Sequence, residues 1–187
     1  ANKQAAVELL MLPVAAPDDF PYPSYYLNDF HNQKNGNLSL QAALTYEWQI
    51  SVLFMGCNRL MRQAVIDHIP RGSDLQILDV ACGTAAWIPQ ARLQGRLHPI
   101  TAIDLSPAYL RYARSMQALG FRDNTTFLQM NAESLQPPGQ PPDAWSGRFD
   151  RVTSVGLADA SVGGCVLTAN VTAAVAGGIS SRGAPAQ

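Results

Sequence analysis

From Leu40 to Ile69 the chain runs without proline, and Leu40, Leu44, Trp48, Val52, Met55, Arg59 and Arg62 recur in steps of three and four. That period predicts one long or two consecutive helices with an apolar stripe, capped at the start by Ser39 and ended by Pro70-Arg71-Gly72-Ser73. The pattern then changes. Leu75–Val80 is a short apolar run, which predicts a buried strand, and Ala81-Cys82-Gly83-Thr84 follows as a tight turn. Residues Ala85 to Gln94 read as a helix with Pro89 as a blemish near its first turns and Gly95 as its stop. A second strand is predicted at Ile100–Asp104. Ser106-Pro107 then opens a helix to about Leu119, with Ser at the cap and Pro at the first helical position. Thr125–Met130 and Phe149–Val155 predict the third and fourth strands, and Pro137, Pro138, Pro141 and Pro142 impose a loop between them. Strand, helix, strand, helix, strand is the order of an α/β fold with a parallel sheet, doubly wound, and with right-handed crossovers by default.

The ends of the chain differ from this middle. Pro13, Pro17, Pro21 and Pro23 make residues 1–37 irregular, and His31–Asn37 is a polar turn or loop. Ala1 stands where a start Met would, so the chain is expected to be processed or a fragment. Residues 156–187 are rich in Gly and Ala, and only Asp159 and Arg182 are charged. Such side chains bury little area against a backbone ordering cost of roughly 1–2 kcal/mol per residue, so a poorly ordered tail is expected. A membrane span over Ala160–Ile179 is the rival reading. It is disfavoured by the polar and glycine residues within it. The organisation expected is an irregular segment 1–37, a helical cap 38–71, a ligand-binding half 72–155 and a tail 156–187.

Composition narrows the function. Thirteen basic against fourteen acidic residues give a net charge of -1, which speaks against a nucleic-acid binder. The three cysteines form no C-x-x-C, so neither a disulfide framework nor a thiolate metal site is expected.

The candidate chemistry lies at the carboxyl ends of the strands, where open α/β sheets bind ligands. Asp79, Asp104 and Asn131 each fall where an apolar strand gives way to loop. An acidic residue at the second strand end, roughly 20 residues beyond a glycine turn, suits a ribose diol because a carboxylate accepts two bonds at once. A helix-capping Asp is the plainer reading, but Ser106 is better placed to cap. Gly83 lets a ligand approach backbone, and a helix starting near Thr84 would present free N–H groups to an anion.

These residues resemble class I S-adenosylmethionine-dependent methyltransferases. Ile77–Ala85 is similar to that family's first motif, Ile103–Pro107 to its second, Asn131-Ala132-Glu133 to its third, and Phe149–Val152 to the opening of its fourth strand. Tyr25–Gln33 with Asn35–Ser39 resembles the N-terminal extension of a branch found in photosynthetic organisms. The resemblance implies a Rossmann-like sheet and S-adenosylmethionine as cofactor. It implies that Asp79 orients the methionine amino group, directly or through water, and that Ala81, Cys82 and Gly83 lie against the methionine moiety. It further implies that Asp104 binds the ribose hydroxyls, Leu105 packs on adenine, and Asn131 and Ala132 meet the adenine edge and ring.

The expected acceptor is a small molecule, with no metal, no nucleic acid and no membrane. The expected protein is soluble, cytoplasmic or, in a photosynthetic eukaryote, plastid. His31 and Tyr26 are possible pocket residues, while His68 and His98 read as structural; a catalytic residue is not identifiable. Two departures stand out. Ala81 and Ala85 replace the outer two glycines of the family turn. Only about four of the family's seven strands are legible before Gly156, which predicts a truncated or altered product. A nicotinamide dinucleotide enzyme is the weaker alternative, because its G-x-G-x-x-G is absent. The other alternative is a non-catalytic product acting through an interaction partner.

Overall fold

The computed structural model describes residues 20–27, 36–118, 124–132, 135, 139–141 and 144–155. The expected tail 156–187, the loop residues 31–35, Glu133 and Cys165 lie outside the described residues.

A 3₁₀ turn, Ser24–Leu27, precedes helices α1 (Leu40–Leu53) and α2 (Asn58–Asp67). The order then runs β1 (Ile77–Val80), α3 (Trp87–Leu93), β2 (Ile100–Asp104), α4 (Pro107–Ala118), β3 (Thr125–Gln129) and β4 (Arg151–Thr153). The Leu40–Ile69 pattern thus resolves into two helices. They part at Met55 and Gly56, whose φ angles of 48° and 80° are left-handed and end an α-helix. Ser39 caps α1 as expected, its hydroxyl accepting from the Ala42 N–H at 3.1 Å.

All four strands are parallel in the order β3-β2-β1-β4. Ile77 pairs with Ile100 and Arg151, and Ile100 pairs with Thr125, so the strands start level and their carboxyl ends share one edge. The chain winds outward from β1 to β3, then returns to β4 beside β1. The resulting switch point lies between β1 and β4.

Alternation along the strands divides the core. Ile77, Ile100, Ala102 and Phe127 face α2, α3 and α4, meeting Val65, Ile66, Trp87, Ile88 and Leu110. Leu78, Val80 and Ile103 face the other way, where Trp145 and Phe149 cover them edge to face at 5.3 Å. β1 is buried on both faces, Asp79 included, as its otherwise apolar run requires.

The apolar stripe of α1 is a correction. Leu44, Trp48, Val52 and Met55 are exposed, Trp48 at 70%. The buried side is instead Ala42, Ala43 and Ile50, and Ala43 packs on Ala108 and Tyr109 of α4. Small residues win that face because they let the two helices approach closely. Tyr46 then closes the gap against Tyr109, with ring centroids 5.1 Å apart.

Candidate functional site

The turn after β1 is held by its backbone. Ala81, Gly83 and Ala85 have φ of 54°, 54° and 50°, at alternate positions of the turn. Two of these three left-handed positions carry a methyl group, at a cost of about 1–2 kcal/mol each. Cys82 N–H donates to the Ile103 carbonyl at 2.9 Å, which ties the turn to β2. The extra left-handed residue at Ala85 delays the helix. α3 begins at Trp87, later than the expected Ala85, and has only seven residues. Space beside Gly83 is open, since a Cβ there would meet nothing within 4 Å. The Cys82 side chain is buried, and burial pushes its thiol well above the ordinary range, with Asp104 and Asp79 adding to the effect. Cys82 therefore offers the site backbone rather than a thiolate.

Asp104 joins the strand tips. Its Oδ2 accepts from Gly83 N–H at 2.8 Å, and its Oδ1 accepts from Ser106 N–H at 2.8 Å and from the Tyr26 hydroxyl at 3.5 Å. Ser106 in turn caps α4, accepting from Tyr109 N–H at 3.2 Å. Asp104 is 8% exposed, and burial raises its pKa against the lowering effect of these bonds. Burial also raises the Tyr26 hydroxyl, with the Asp104 charge second, so Tyr26 stays a donor.

Next to Asp104 in the ladder stands Gln129. Its Nε2 donates to the Leu105 carbonyl at 3.0 Å and to the Tyr22 hydroxyl at 2.7 Å, while its buried Oε1 has no partner. Tyr22 and Tyr26 lie parallel, 6.3 Å between centroids, and bring the 3₁₀ turn over the β2 and β3 tips. Leu105, Asn131 and Ala132 follow those tips and are half-buried.

Asp79 points elsewhere. It is 0% exposed, with Oδ2 accepting from Trp87 Nε1 and Oδ1 from the Thr153 hydroxyl, both at 2.8 Å. Burial lifts its pKa to about 7, moderated by those two bonds. The carboxylate ties β1 to α3 and β4, and both its oxygens are spent inside the protein.

A small cleft opens beside the turn, lined by Tyr46, Ile50, Arg62, Cys82, Gly83 and Thr84 among others. At its wall the Thr84 hydroxyl donates to Glu47, and Arg62 Nη2 donates to both Glu47 oxygens at 2.9 and 2.7 Å. Glu47, Arg62, Thr84 and Gln129 are site residues that sequence reasoning missed. Glu47 and Arg62 sit on separate helices, and only the packing of α1 and α2 brings them to the turn. Among the described residues, no three His, Cys, Asp or Glu side chains converge as metal ligands, and no helix is long and apolar enough to cross a membrane. His98, by contrast, is structural. It is fully buried at the opposite end of β2, with Nδ1 accepting from Leu75 N–H at 3.2 Å and Nε2 2.8 Å from the Pro70 carbonyl.

Residues 77–161 match the family described as "Methyltransferase domain". Over that stretch, which is under half of the chain, the sequence is similar to methyltransferases. The match to the methyltransferase family opens at Ile77, the first residue of β1, and takes in all four strands.

Two curated relatives are named ubiquinone/menaquinone biosynthesis C-methyltransferases. The Psychromonas ingrahamii protein is 30% identical over 113 residues, which are 59% of this chain and 42% of that protein. The Hahella chejuensis protein is 31% identical over 57% of this chain and 44% of its own length. The chain thus spans less than half the length of these relatives. Among solved structures, a TehB-like methyltransferase from Corynebacterium glutamicum aligns with a TM-score of 0.43 and 21% identity, covering 63% of this chain and 56% of that one. A phosphoethanolamine N-methyltransferase of Haemonchus contortus, in complex with S-adenosylmethionine, aligns at 0.44 and 19%, over 62% and 26%.

Proposed function

We propose that this chain binds S-adenosylmethionine across the carboxyl ends of β1, β2 and β3 and transfers its methyl group to a small molecule. The observation that carries this reading is the hydroxyl of Tyr26 on Asp104 Oδ1 at 3.5 Å. A hydroxyl of the protein stands there as a sugar hydroxyl would, at a long distance that a better-placed donor can displace. Open space beside Gly83 and the unsatisfied Oε1 of Gln129 fit the same ligand.

Asp104 would hold the ribose, Leu105 would lie against the adenine, and Asn131 and Ala132 would meet its edge and ring. Ala81, Cys82 and Gly83 would offer backbone to the methionine part, and Asp79, with both oxygens held by Trp87 and Thr153, would reach its amino group only through water. When bound, the cofactor supplies a methyl group on a sulfonium whose neutral thioether leaves readily. The protein's part is to align the acceptor and exclude water, an effect worth up to ~7–11 kcal/mol for well-held partners. The names of the curated relatives make quinone-type small molecules the first acceptors to try.

Calorimetric titration of the intact chain with S-adenosylmethionine tests the reading. Saturable one-to-one binding is the expected result. No binding by a chain that still melts cooperatively would sink it and favour a non-catalytic role through an interaction partner.

A further inference from the structure

A second carboxylate beside the turn, less enclosed than Asp79, is Glu47. Glu47 keeps 27% of its side chain exposed and is pinned to the turn by the Thr84 hydroxyl. Arg62, 15% exposed, lies against it and lines the same cleft. Asp79 is sealed in the core with both oxygens occupied. The two bonds from Arg62 to Glu47 both come from Nη2, which leaves the Nε and Nη1 groups of the guanidinium fork. Nε–H and Nη1–H point to different sides of the guanidinium, so a ligand carboxylate would take one charge-assisted hydrogen bond from Nη1.

We infer that Glu47 and Arg62 form a cradle for the zwitterionic amino-acid end of the cofactor, with Glu47 receiving the ammonium and Arg62 the carboxylate. This rests on the cofactor reading above. An α-amino acid carries one positive and one negative group on a single carbon. A side-by-side anion and cation at the wall of a cleft is its electrostatic complement. The exchange buries no net charge, because each charge of the ion pair takes an opposite charge from the ligand. Thr84 holds Glu47 in place through the exchange. Gly83, with no Cβ, leaves room for the ligand beside the pair.

The test compares two probes on the intact chain by calorimetry. S-adenosylhomocysteine has the amino-acid end; 5′-methylthioadenosine keeps the adenosine and thioether but lacks it. The wild-type chain should bind the first at least tenfold more tightly. Arg62→Met and Glu47→Gln should each weaken S-adenosylhomocysteine by tenfold or more and leave methylthioadenosine within about twofold. A merely structural role would weaken both probes alike, and that result overturns the cradle, as does no change in either. Equal wild-type affinity for the two probes overturns it without any variant, and leaves the adenosine site standing. Failure of the wild type to bind either probe removes the cofactor reading itself.

Discussion

The indole Nε1 of Trp87 donates to Oδ2 of Asp79 at 2.8 Å, and neither side chain is reached by solvent. A carboxylate so enclosed keeps its charge at neutral pH only through its donors. Trp87→Phe removes one donor and keeps most of the ring volume. It should destabilise the fold by about 1–3 kcal/mol, more at pH 8 than at pH 5, where Asp79 is protonated and needs the bond less. Urea denaturation at the two pH values measures the difference.

Burial raises the folded pKa of Asp79 from 3.8 to about 7. The folded state therefore holds a proton that the unfolded chain releases. The stability linked to this group is complete below about pH 4 and is lost as pH rises through 7. Asp79→Asn should flatten that slope, so the difference in stability between variant and wild type shifts in favour of the variant from pH 4 to pH 8. Parallel pH profiles for the two chains would show that Asp79 does not titrate in this range.

Ala81 and Ala85 hold left-handed backbone, with φ of 54° and 50°. Ala81 is exposed, so Ala81→Gly removes strain and loses no packing. It should raise stability by about 1 kcal/mol, read as a higher denaturation midpoint with an unchanged slope. Ala85 is buried, and Ala85→Gly also forfeits a methyl worth about 0.8 kcal/mol, so its net effect should be close to zero.

Asp104 links Gly83 and Ser106, and Tyr26 touches the same carboxylate. Asp104→Ala should weaken methylthioadenosine and S-adenosylhomocysteine equally, by tenfold or more. Tyr26→Phe clears the competing hydroxyl and should leave binding unchanged or tighten it a few-fold. Weaker binding by Tyr26→Phe would mean that the hydroxyl contacts the ligand rather than standing in for it.

Trp48 is 70% exposed although its spacing reads as core. Trp48→Ser should change stability by less than about 0.5 kcal/mol, whereas Ala43→Leu, forced between α1 and α4, should cost about 1–3 kcal/mol. Thermal melts of both variants test which face of α1 is inside.

Strand positions were legible because a strand buried on both faces is mostly apolar, as Ile77–Val80 and Ile100–Asp104 are apart from Asp79, Thr101 and Asp104. The two helix boundaries with local chemistry, Ser39 and Ser106, were equally legible, since a cap acts on N–H groups two or three residues away. The side of α1 that faces inward was not. Period alone marks an apolar stripe, but the partner chooses the face, and α4 presents Ala108 and Tyr109, which suit alanines.

The sequence by itself determined the strand and helix order, the turn at Gly83, and the acidic residues at the first two strand ends, because each depends on neighbours within a few residues. Only the tertiary structure decided which carboxylate is enclosed and which stays partly exposed. Asp79 and Glu47 are both acidic in the chain, yet α3 and β4 close over one, while α1 and α2 carry the other to the turn. Burial and partnership are properties of packing between distant segments, and spacing along a chain does not contain them.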